Sequence, residues 1–241
     1  MTNIIQCENI VKRYRDFSLK SISFVIKPGY LTGLIGVNGA GKTTLINIIA
    51  GIDTDFEGTV NINGIDIKKN FTEAKQEIGL ISEKLSFFID KTAYENALLL
   101  GVYFNNWNME EYYIWLDKMN IPKGEPIYQF SKGMKMKFQL SFAMAHSPKF
   151  LLLDEPTAGF DPVFRKDFLN MLQDILNQDV GILMSTHITS DLDKIADYII
   201  LLENGEIKIN DTKEALEDNF KRKLLEDSLN KKFHISDLLK N

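Results

Sequence analysis

The chain contains 241 residues, of which 44% are hydrophobic and 25% charged, and its formal net charge is −5. This balance is typical of a globular protein with a sizeable core, and it favours neither a nucleic-acid-binding surface nor an acidic tail. The single cysteine, Cys7, has no internal disulfide partner, and no apolar run reaches the ~18 to 20 residues of a membrane span. Because Met1–Lys12 also lacks the apolar stretch of a signal peptide, we expect a cytoplasmic protein. The small net charge leads us to expect no nucleic-acid partner.

The first part of the chain predicts strands on either side of a glycine-rich loop. Thr43–Ala50 has helical character and stops at Gly51. Gly58–Ile67 predicts a hairpin, because Asn63-Gly64 favours a tight two-residue turn. The strands predicted from clustered β-branched and aromatic residues before the hairpin are Ile4–Cys7, Phe17–Ile26 and Leu31–Ile35.

The middle of the chain, between about 84 and 147, changes to helical periodicity. Thr92 followed by Glu95 matches a capping box, and Ser131 is in position to cap a later helix. The helices predicted here are Ala97–Tyr103, Met109–Met119 and a segment that runs from Ser131 toward Ala145.

The last third alternates strands and helices, which predicts βαβ units and a parallel sheet. The predicted elements in chain order are strand Phe150–Leu153, helix Phe164–Leu176, strand Val180–Ser185, helix Thr189–Ala196 and strand Tyr198–Leu202. From Thr212 to Asn241 the chain is charged and predicts a helical tail. The fold class is therefore expected to be α/β.

A phosphate-binding loop is the strongest motif in the sequence. The segment from Gly36 to Thr43 fits G-x-x-x-x-G-K-[ST] and lies between a predicted strand and a predicted helix. In such a loop Lys42 reaches the β- and γ-phosphates and the Thr43 hydroxyl binds Mg²⁺, while Thr44 is placed to touch the α-phosphate. The backbone cradle would be formed by Gly36, Asn38, Gly39, Ala40 and Gly41. The motif predicts a nucleotide and Mg²⁺ but by itself does not choose among kinases, GTPases and motor ATPases.

Polar residues at the ends of later strands point toward the same chemistry. Asp154 and Glu155 follow an apolar strand, where open α/β sheets place ligands, so Asp154 is a candidate Mg²⁺ ligand and Glu155 a candidate general base. His187 follows another strand and could sense the γ-phosphate, and Ser131 with Gly133 could grip an anion at a helix start. Taken singly, each has a structural alternative: a solvated strand end, a structural histidine or a helix cap.

In this order the motifs resemble the ATP-binding cassette (ABC) ATPase family, from about Ile4 to Ile209. Phe130–Met134 resembles a variant of the Leu-Ser-Gly-Gly-Gln signature, and Asp161 falls at the D-loop aspartate. His187 matches the switch histidine, and Tyr14 falls where the family stacks an aromatic ring on adenine. The resemblance implies a P-loop NTPase (RecA-like) parallel-sheet core with an antiparallel β subdomain. It also implies an ATPase domain over 1–211 with a helical subdomain inserted at about 84–147, followed by the tail at 212–241.

The resemblance also implies a mechanism and partners. The signature of one subunit, with Ser131 and Gly133, closes over ATP held by another, and Asp161 is also expected to bind the nucleotide. We expect two ATP molecules in a homodimer, with a heterodimer of related subunits as the alternative. The dimer would hydrolyse ATP to power a membrane-spanning permease on a separate chain, from the cytoplasmic face of the membrane.

Three residues depart from the family pattern. Glu83 replaces the usual glutamine after a strand at residues 78–82, and it is expected to ligate Mg²⁺ and to take part in catalysis. Lys132 and Met134 replace a glycine and a glutamine of the signature. These variations are similar to the ATPases of small bacterial exporters, which implies export of a peptide, an antibiotic or a related compound. Two alternatives stay open: a non-transport ABC ATPase that acts on ribosomes or DNA, and a dimerisation switch that uses ATP without useful hydrolysis.

A surface for the permease is expected just after Glu83. Leu85, Phe87, Phe88 and Ile89 lie where the family receives a short helix of the membrane subunit. These apolar side chains are either core residues or, where exposed, a partner site.

Overall fold

The computed structural model describes residues 4–84, 86–226 and 233–239, and its strands form two sheets. The strands are β1 (Ile5–Arg13), β2 (Ser18–Ile26), β3 (Leu31–Ile35), β4 (Glu57–Ile62), β5 (Ile65–Asp66), β6 (Ile78–Ile81), β7 (Phe150–Asp154), β8 (Gly181–Ser185), β9 (Tyr198–Glu203) and β10 (Glu206–Thr212). The helices are α1 (Lys42–Ile49), α2 (Phe71–Ala74), α3 (Ala93–Leu100), α4 (Met109–Lys118), α5 (Lys132–Met144), α6 (Pro162–Leu176), α7 (Thr189–Ile195) and α8 (Lys213–Glu226).

One sheet is antiparallel and the other is mainly parallel, as the α/β prediction requires. The antiparallel sheet has the order β2-β1-β4-β5, and its hairpin turns at Asn63 and Gly64, whose φ angles of 53° and 83° suit the predicted tight turn. The larger sheet has the order β10-β9-β3-β8-β7-β6, with only the edge pair β9–β10 antiparallel. The α/β class and the parallel P-loop core are therefore confirmed.

Two hydrophobic cores lie on opposite faces of the parallel sheet. Along β7, Phe150 and Leu152 face the core that contains α1 and the antiparallel sheet, whereas Leu151 and Leu153 face the core that contains α4–α7. A strand buried on both faces has no polar alternation, which is why β7 appears in the sequence as a continuous apolar run. This burial holds the carboxyl end of β7 at a fixed position, and the candidate acids follow there.

The chain between β6 and β7 forms α3, α4 and α5. Thr92 and Glu95 make both hydrogen bonds of a capping box, so α3 begins at Ala93, earlier than the sequence suggested. The Ser131 side chain caps α5 by accepting from the Met134 N–H, as predicted. The proposed boundaries of a separate helical subdomain and of the 1–211 domain stay predictions.

The C-terminal part differs from its prediction in one element. Glu206–Thr212 forms β10, an edge strand that its mixed composition did not reveal, and α8 follows it. The ring centroids of Phe220 and Phe233 are 5.2 Å apart, and the Ile235 N–H donates to Asp193 on α7. The parts of the predicted tail at 227–232 and 240–241 lie outside the described residues. Among the helices that the structure describes, none is long and apolar enough to cross a membrane.

A buried histidine makes the stability of this fold depend on pH. His146 is 2% exposed at the end of the helical segment, its ring stacks on Phe104 at 4.0 Å, and its Nδ1 has no hydrogen-bond partner. Burial lowers the pKa of His146 to about 4 from its usual 6.5, and the nearby Lys75 acts in the same direction. A lowered folded-state pKa gives stability that is complete above pH 6.5 and is lost as the pH falls toward 4.

We therefore expect a His146→Phe variant to lose less stability on acidification than the wild type. The difference between their unfolding free energies should change by on the order of 2 to 3 kcal/mol between pH 7 and pH 4, since one pKa unit corresponds to about 1.4 kcal/mol. Urea unfolding at a series of pH values measures this difference. Parallel curves for the two proteins would contradict the role of His146.

Candidate functional site

The glycine-rich loop is shaped to approach a ligand with its backbone. A Cβ on Gly36 would lie 2.3 Å from the Leu202 carbonyl oxygen, so only glycine fits beneath the loop. Gly39 and Gly41 have φ angles of 83° and 108°, which side chains other than glycine rarely adopt, and Gly39 faces open space. The Ala40 N–H closes the turn by donating to the Val37 carbonyl at 3.1 Å.

The start of α1 is suited to bind an anion. Its N-cap, Gly41, has no side chain to satisfy the first backbone N–H groups, and no acidic residue lies in the first turn. The buried Lys42 donates from Nζ to the Gly36 carbonyl oxygen at 2.8 Å and lies 3.6 Å from Glu155 Oε1. Free N–H groups, the positive helix end and a buried ammonium group together fit a phosphate chain.

The two acids that follow β7 are positioned by the neighbouring strand β8. The Ser185 hydroxyl donates to Asp154 Oδ1 at 2.6 Å and accepts from the Glu155 N–H at 3.0 Å. Glu155 has a φ of 50°, in the left-handed region that non-glycine residues rarely adopt. This turn brings Glu155 Oε2 to 2.7 Å from His187 Nδ1 and 3.2 Å from the His187 N–H. Glu155 therefore lies between Lys42 and His187.

The predicted Mg²⁺ ligands are not all at one place. A cleft beside the phosphate loop is lined by Tyr14, Phe17, residues 38–44 and Glu155. Thr43 therefore lies in the same cleft as Lys42 and Glu155, and Asp154 directly precedes Glu155 in the chain. Glu83 instead bonds to Lys132 Nζ at 3.1 Å and is not one of the cleft residues. The described residues contain no cluster of three or more His, Cys, Asp or Glu side chains suited to a metal. A Mg²⁺ site that uses one or two carboxylates, phosphate oxygens and water does not need such a cluster, so Thr43 and Asp154 fit the ion.

An aromatic side chain flanks the far end of the cleft. Tyr14 is 48% exposed, and its hydroxyl donates to Asp53 Oδ2 at 3.0 Å. Asp53 in turn accepts from Nζ of the buried Lys12 at 2.9 Å. Partial burial, together with the bond to Asp53, raises the pKa of Tyr14, so its hydroxyl stays a donor. Partial burial opposes ionisation of Asp53, but the bonds from Lys12, Tyr14 and the Asp55 N–H outweigh it and lower the pKa of Asp53.

The predicted signature and D-loop residues lie outside this cleft. Ser131 and Asp161 are exposed N-caps of α5 and α6, and Gly133 packs near the Phe164 ring, where a Cβ would lie 2.9 Å from a ring carbon. Thr44, Asn38 and the cradle glycines Gly39 and Gly41 do line the cleft with Tyr14. One chain therefore brings together the phosphate loop, Glu155 and Tyr14, but not the signature residues.

Three residues near the site were not singled out from the sequence. Phe17 lies in the cleft with its ring stacked on Tyr14 at 6.3 Å, Asp53 orients Tyr14, and Ser185 holds both acids. Ser185 could have been found, because it ends a strand that a βαβ pattern places beside β7. Phe17 and Asp53 carry no motif, and their roles depend on tertiary contacts alone.

A family model described as "ABC transporter" matches residues 19–158 of the chain. The chain belongs to the ABC transporter family. This membership agrees with the phosphate loop and the acid pair at the strand ends, and it makes the chain an ATP-hydrolysing enzyme of the ABC type.

Individual relatives extend the match over most of the chain. The linearmycin resistance ATP-binding protein LnrL of Bacillus subtilis is 31% identical over 222 residues, which cover 88% of this ABC ATPase and 70% of LnrL. The lantibiotic transport ATP-binding protein SrtF of Streptococcus pyogenes is 30% identical over 233 residues, which cover 92% of this chain and 98% of SrtF. A solved ATP-binding subunit of an ABC transporter superposes with a TM-score of 0.81 at 26% identity, over 90% of this chain and 93% of that one.

The bond between Tyr14 and Asp53 generates a test of ATP binding by this ABC ATPase. Tyr14→Phe and Asp53→Ala should each weaken ATP binding by roughly 2- to 10-fold, because each removes the hydrogen bond that holds the ring. The double variant should bind ATP no more weakly than either single variant. Isothermal titration calorimetry measures the dissociation constants. Asp55→Ala is the matched control, since Asp55 also bonds to Lys12 but has an exposed side chain and no bond to Tyr14. Additive losses in the double variant would show that the two side chains act independently.

Proposed function

We propose that the chain is the ATP-hydrolysing subunit of an ABC exporter and works as a sandwich dimer on a separate membrane-spanning permease. The observation that carries this proposal is the position of Glu155 between Lys42 and His187, beside the phosphate loop. A carboxylate at that point can activate a water molecule at the γ-phosphate. An acid pair with a purely structural role would not need to lie there.

ATP is held mainly by backbone and by Lys42. The loop residues Gly36, Asn38, Gly39, Ala40 and Gly41 surround the phosphates, Lys42 contacts the β- and γ-phosphates, and Thr44 contacts the α-phosphate. Tyr14 stacks on adenine. Thr43 and Asp154 would hold Mg²⁺, with Glu83 as a third ligand once it leaves Lys132, and the bound ion would neutralise phosphate charge during phosphoryl transfer.

Hydrolysis uses a base whose position is fixed from two sides. Glu155 Oε1 faces Lys42 and Oε2 faces His187, so the carboxylate has one orientation relative to the loop. Glu155 accepts a proton from the attacking water, and His187 orients Glu155 and contacts the γ-phosphate. Removal of the Glu155 charge should therefore stop chemistry while ATP still binds.

The dimer is supported by the separation of the motifs. Ser131, Gly133 and Asp161 do not line the cleft of their own chain, whereas the start of α5 presents an exposed hydroxyl and a positive helix end. A second copy can bring these groups to the phosphates from the opposite side. Since one chain carries each motif once, the simplest assembly is a homodimer with two equivalent sites, and a heterodimer with a related subunit is the alternative.

The permease is supported by an exposed apolar patch, which we define as Phe88, Ile89 and Tyr128. These side chains are 49%, 51% and 59% exposed, and the Tyr128 N–H donates to the Ile89 carbonyl at 2.8 Å. The side chain of the buried Asn96 accepts from the Phe88 N–H and donates to the Phe88 carbonyl, each at 3.0 Å, and these two bonds hold Phe88 in place. Phe87 instead packs inward on Phe138, and Leu85 lies outside the described residues.

Export is supported by the relatives. LnrL and SrtF are named for linearmycin resistance and lantibiotic transport, so the cargo class proposed here is a peptide, an antibiotic or a similar compound. The permease carries the cargo, and this subunit lies against it at the cytoplasmic face of the membrane.

The proposal is tested by the assembly state of a Glu155→Gln variant. We expect it to bind ATP, to hydrolyse ATP at least 100-fold more slowly than the wild type, as loss of a general base does, and to accumulate as a dimer with Mg-ATP. Phosphate release and sedimentation velocity give the two quantities. Lys42→Ala in the same background is the control and should stay monomeric. Equal turnover of wild type and Glu155→Gln would instead support a dimerisation switch without useful hydrolysis.

A further inference from the structure

Two departures from the family pattern contact each other. Glu83 and Lys132 are 49 positions apart in the sequence, yet Lys132 Nζ donates to Glu83 Oε1 at 3.1 Å. One departure adds a negative charge to the loop after β6, and the other adds a positive charge to the signature. Because the two charges meet, they need a common explanation.

The loop that carries Glu83 is held against the signature helix by a second, buried contact. The Gln139 side chain on α5 accepts from the Ser82 N–H at 3.1 Å and donates to the Ser82 carbonyl at 2.9 Å. Gln139 is 3% exposed, so this bidentate pair is shielded from water. Glu83 therefore projects from a fixed point beside α5, within reach of the first residue of that helix.

The ion pair itself can open easily. The Glu83 and Lys132 side chains are 71% and 42% exposed, and an exposed pair of this kind shifts an equilibrium by no more than about fivefold. Carboxylate oxygens are preferred ligands of Mg²⁺, and an ammonium group binds phosphate well. Lys132 Nζ also lies close to Gly159, in the segment between Glu155 and Asp161. At the proposed ATP sites, Mg²⁺ is therefore a stronger partner for Glu83 than Lys132 is. The phosphates are likewise a stronger partner for Lys132 than Glu83 is.

We infer that Glu83 and Lys132 form an exchangeable ion pair that couples the two ATP sites of the dimer. Without Mg-ATP the pair is closed, and it neutralises the signature lysine within one subunit. When Mg-ATP binds to that subunit, Glu83 moves to Mg²⁺ and Lys132 is released to the phosphates of the ATP held by the partner copy. This inference rests on the proposed sandwich dimer. It adds that Mg-ATP bound to one subunit frees the signature lysine of that subunit, which then contacts the ATP of the partner copy.

The test measures dimerisation rather than turnover. In a Glu155→Gln background, ATP with EDTA leaves the pair closed in the monomer, so that dimerisation has to open it, whereas Mg²⁺ opens it beforehand. Adding Glu83→Gln should tighten the dimer in ATP with EDTA by on the order of 2- to 20-fold, because two ion pairs no longer have to open. The effect should be smaller with Mg²⁺. Sedimentation velocity gives the dimer dissociation constant in each condition.

The contribution of Lys132 separates exchange from simple repulsion between Glu83 and phosphate. With Lys132→Gln present, Glu83→Gln should tighten the dimer clearly less than it does with Lys132. Lys135→Gln is the matched control on the same helix, and it should leave the full effect of Glu83→Gln. An equal effect of Glu83→Gln with Lys132 and with Lys132→Gln would overturn the inference, as would a weaker or unchanged dimer in the Glu83→Gln variant.

Failure of the inference can be told from failure of the proposed function. If the Glu155→Gln parent stays monomeric with Mg-ATP, the sandwich dimer is contradicted and the coupling falls with it. If the parent dimerises but Glu83→Gln changes nothing, only the exchangeable pair is overturned.

Discussion

The carboxyl ends of three adjacent parallel strands, β3, β8 and β7, meet at one edge of the larger sheet, and the proposed catalytic groups follow them there. The phosphate loop follows β3, Asp154 and Glu155 follow β7, and His187 follows β8. Burial of these strands on both faces leaves little freedom at their ends. The contacts of Glu155 with Lys42 and His187 are therefore set by strand pairing rather than by flexible loops.

This edge carries charges in an arrangement that a phosphate chain would complete. Lys42 is buried against a carbonyl oxygen and lies 3.6 Å from Glu155, while the first N–H groups of α1 have no cap. Glu155 lies near Lys42 but beyond hydrogen-bond distance, and the uncapped N–H groups of α1 can bind an anion, so the site suits a phosphate chain. The left-handed φ of Glu155 costs about 1 to 3 kcal/mol of backbone strain, and its bonds with Ser185 and His187 hold the residue in that conformation.

The sequence predicted the parts of the site that depend on local pattern. Apolar runs such as Leu31–Ile35 and the phosphate loop after it lie where they were expected, because burial and backbone conformation leave strong local signals. β10 was missed because an edge strand such as Glu206–Thr212 is only partly buried and lacks an apolar run. The bond of Asp53 to Tyr14 and the pair Glu83–Lys132 join distant segments, and no local signal could have shown that they meet.

Affinity purification shows whether this ATPase works on a membrane partner. Tagged Glu155→Gln protein is recovered with Mg-ATP from detergent-solubilised membranes of its native host, beside a matched sample that also carries Phe88→Asp. We expect a stoichiometric polytopic membrane protein in the first sample and its loss from the second. Recovery of ribosomes, of DNA or of no partner, with the protein folded and bound to ATP, would overturn the proposed transport function.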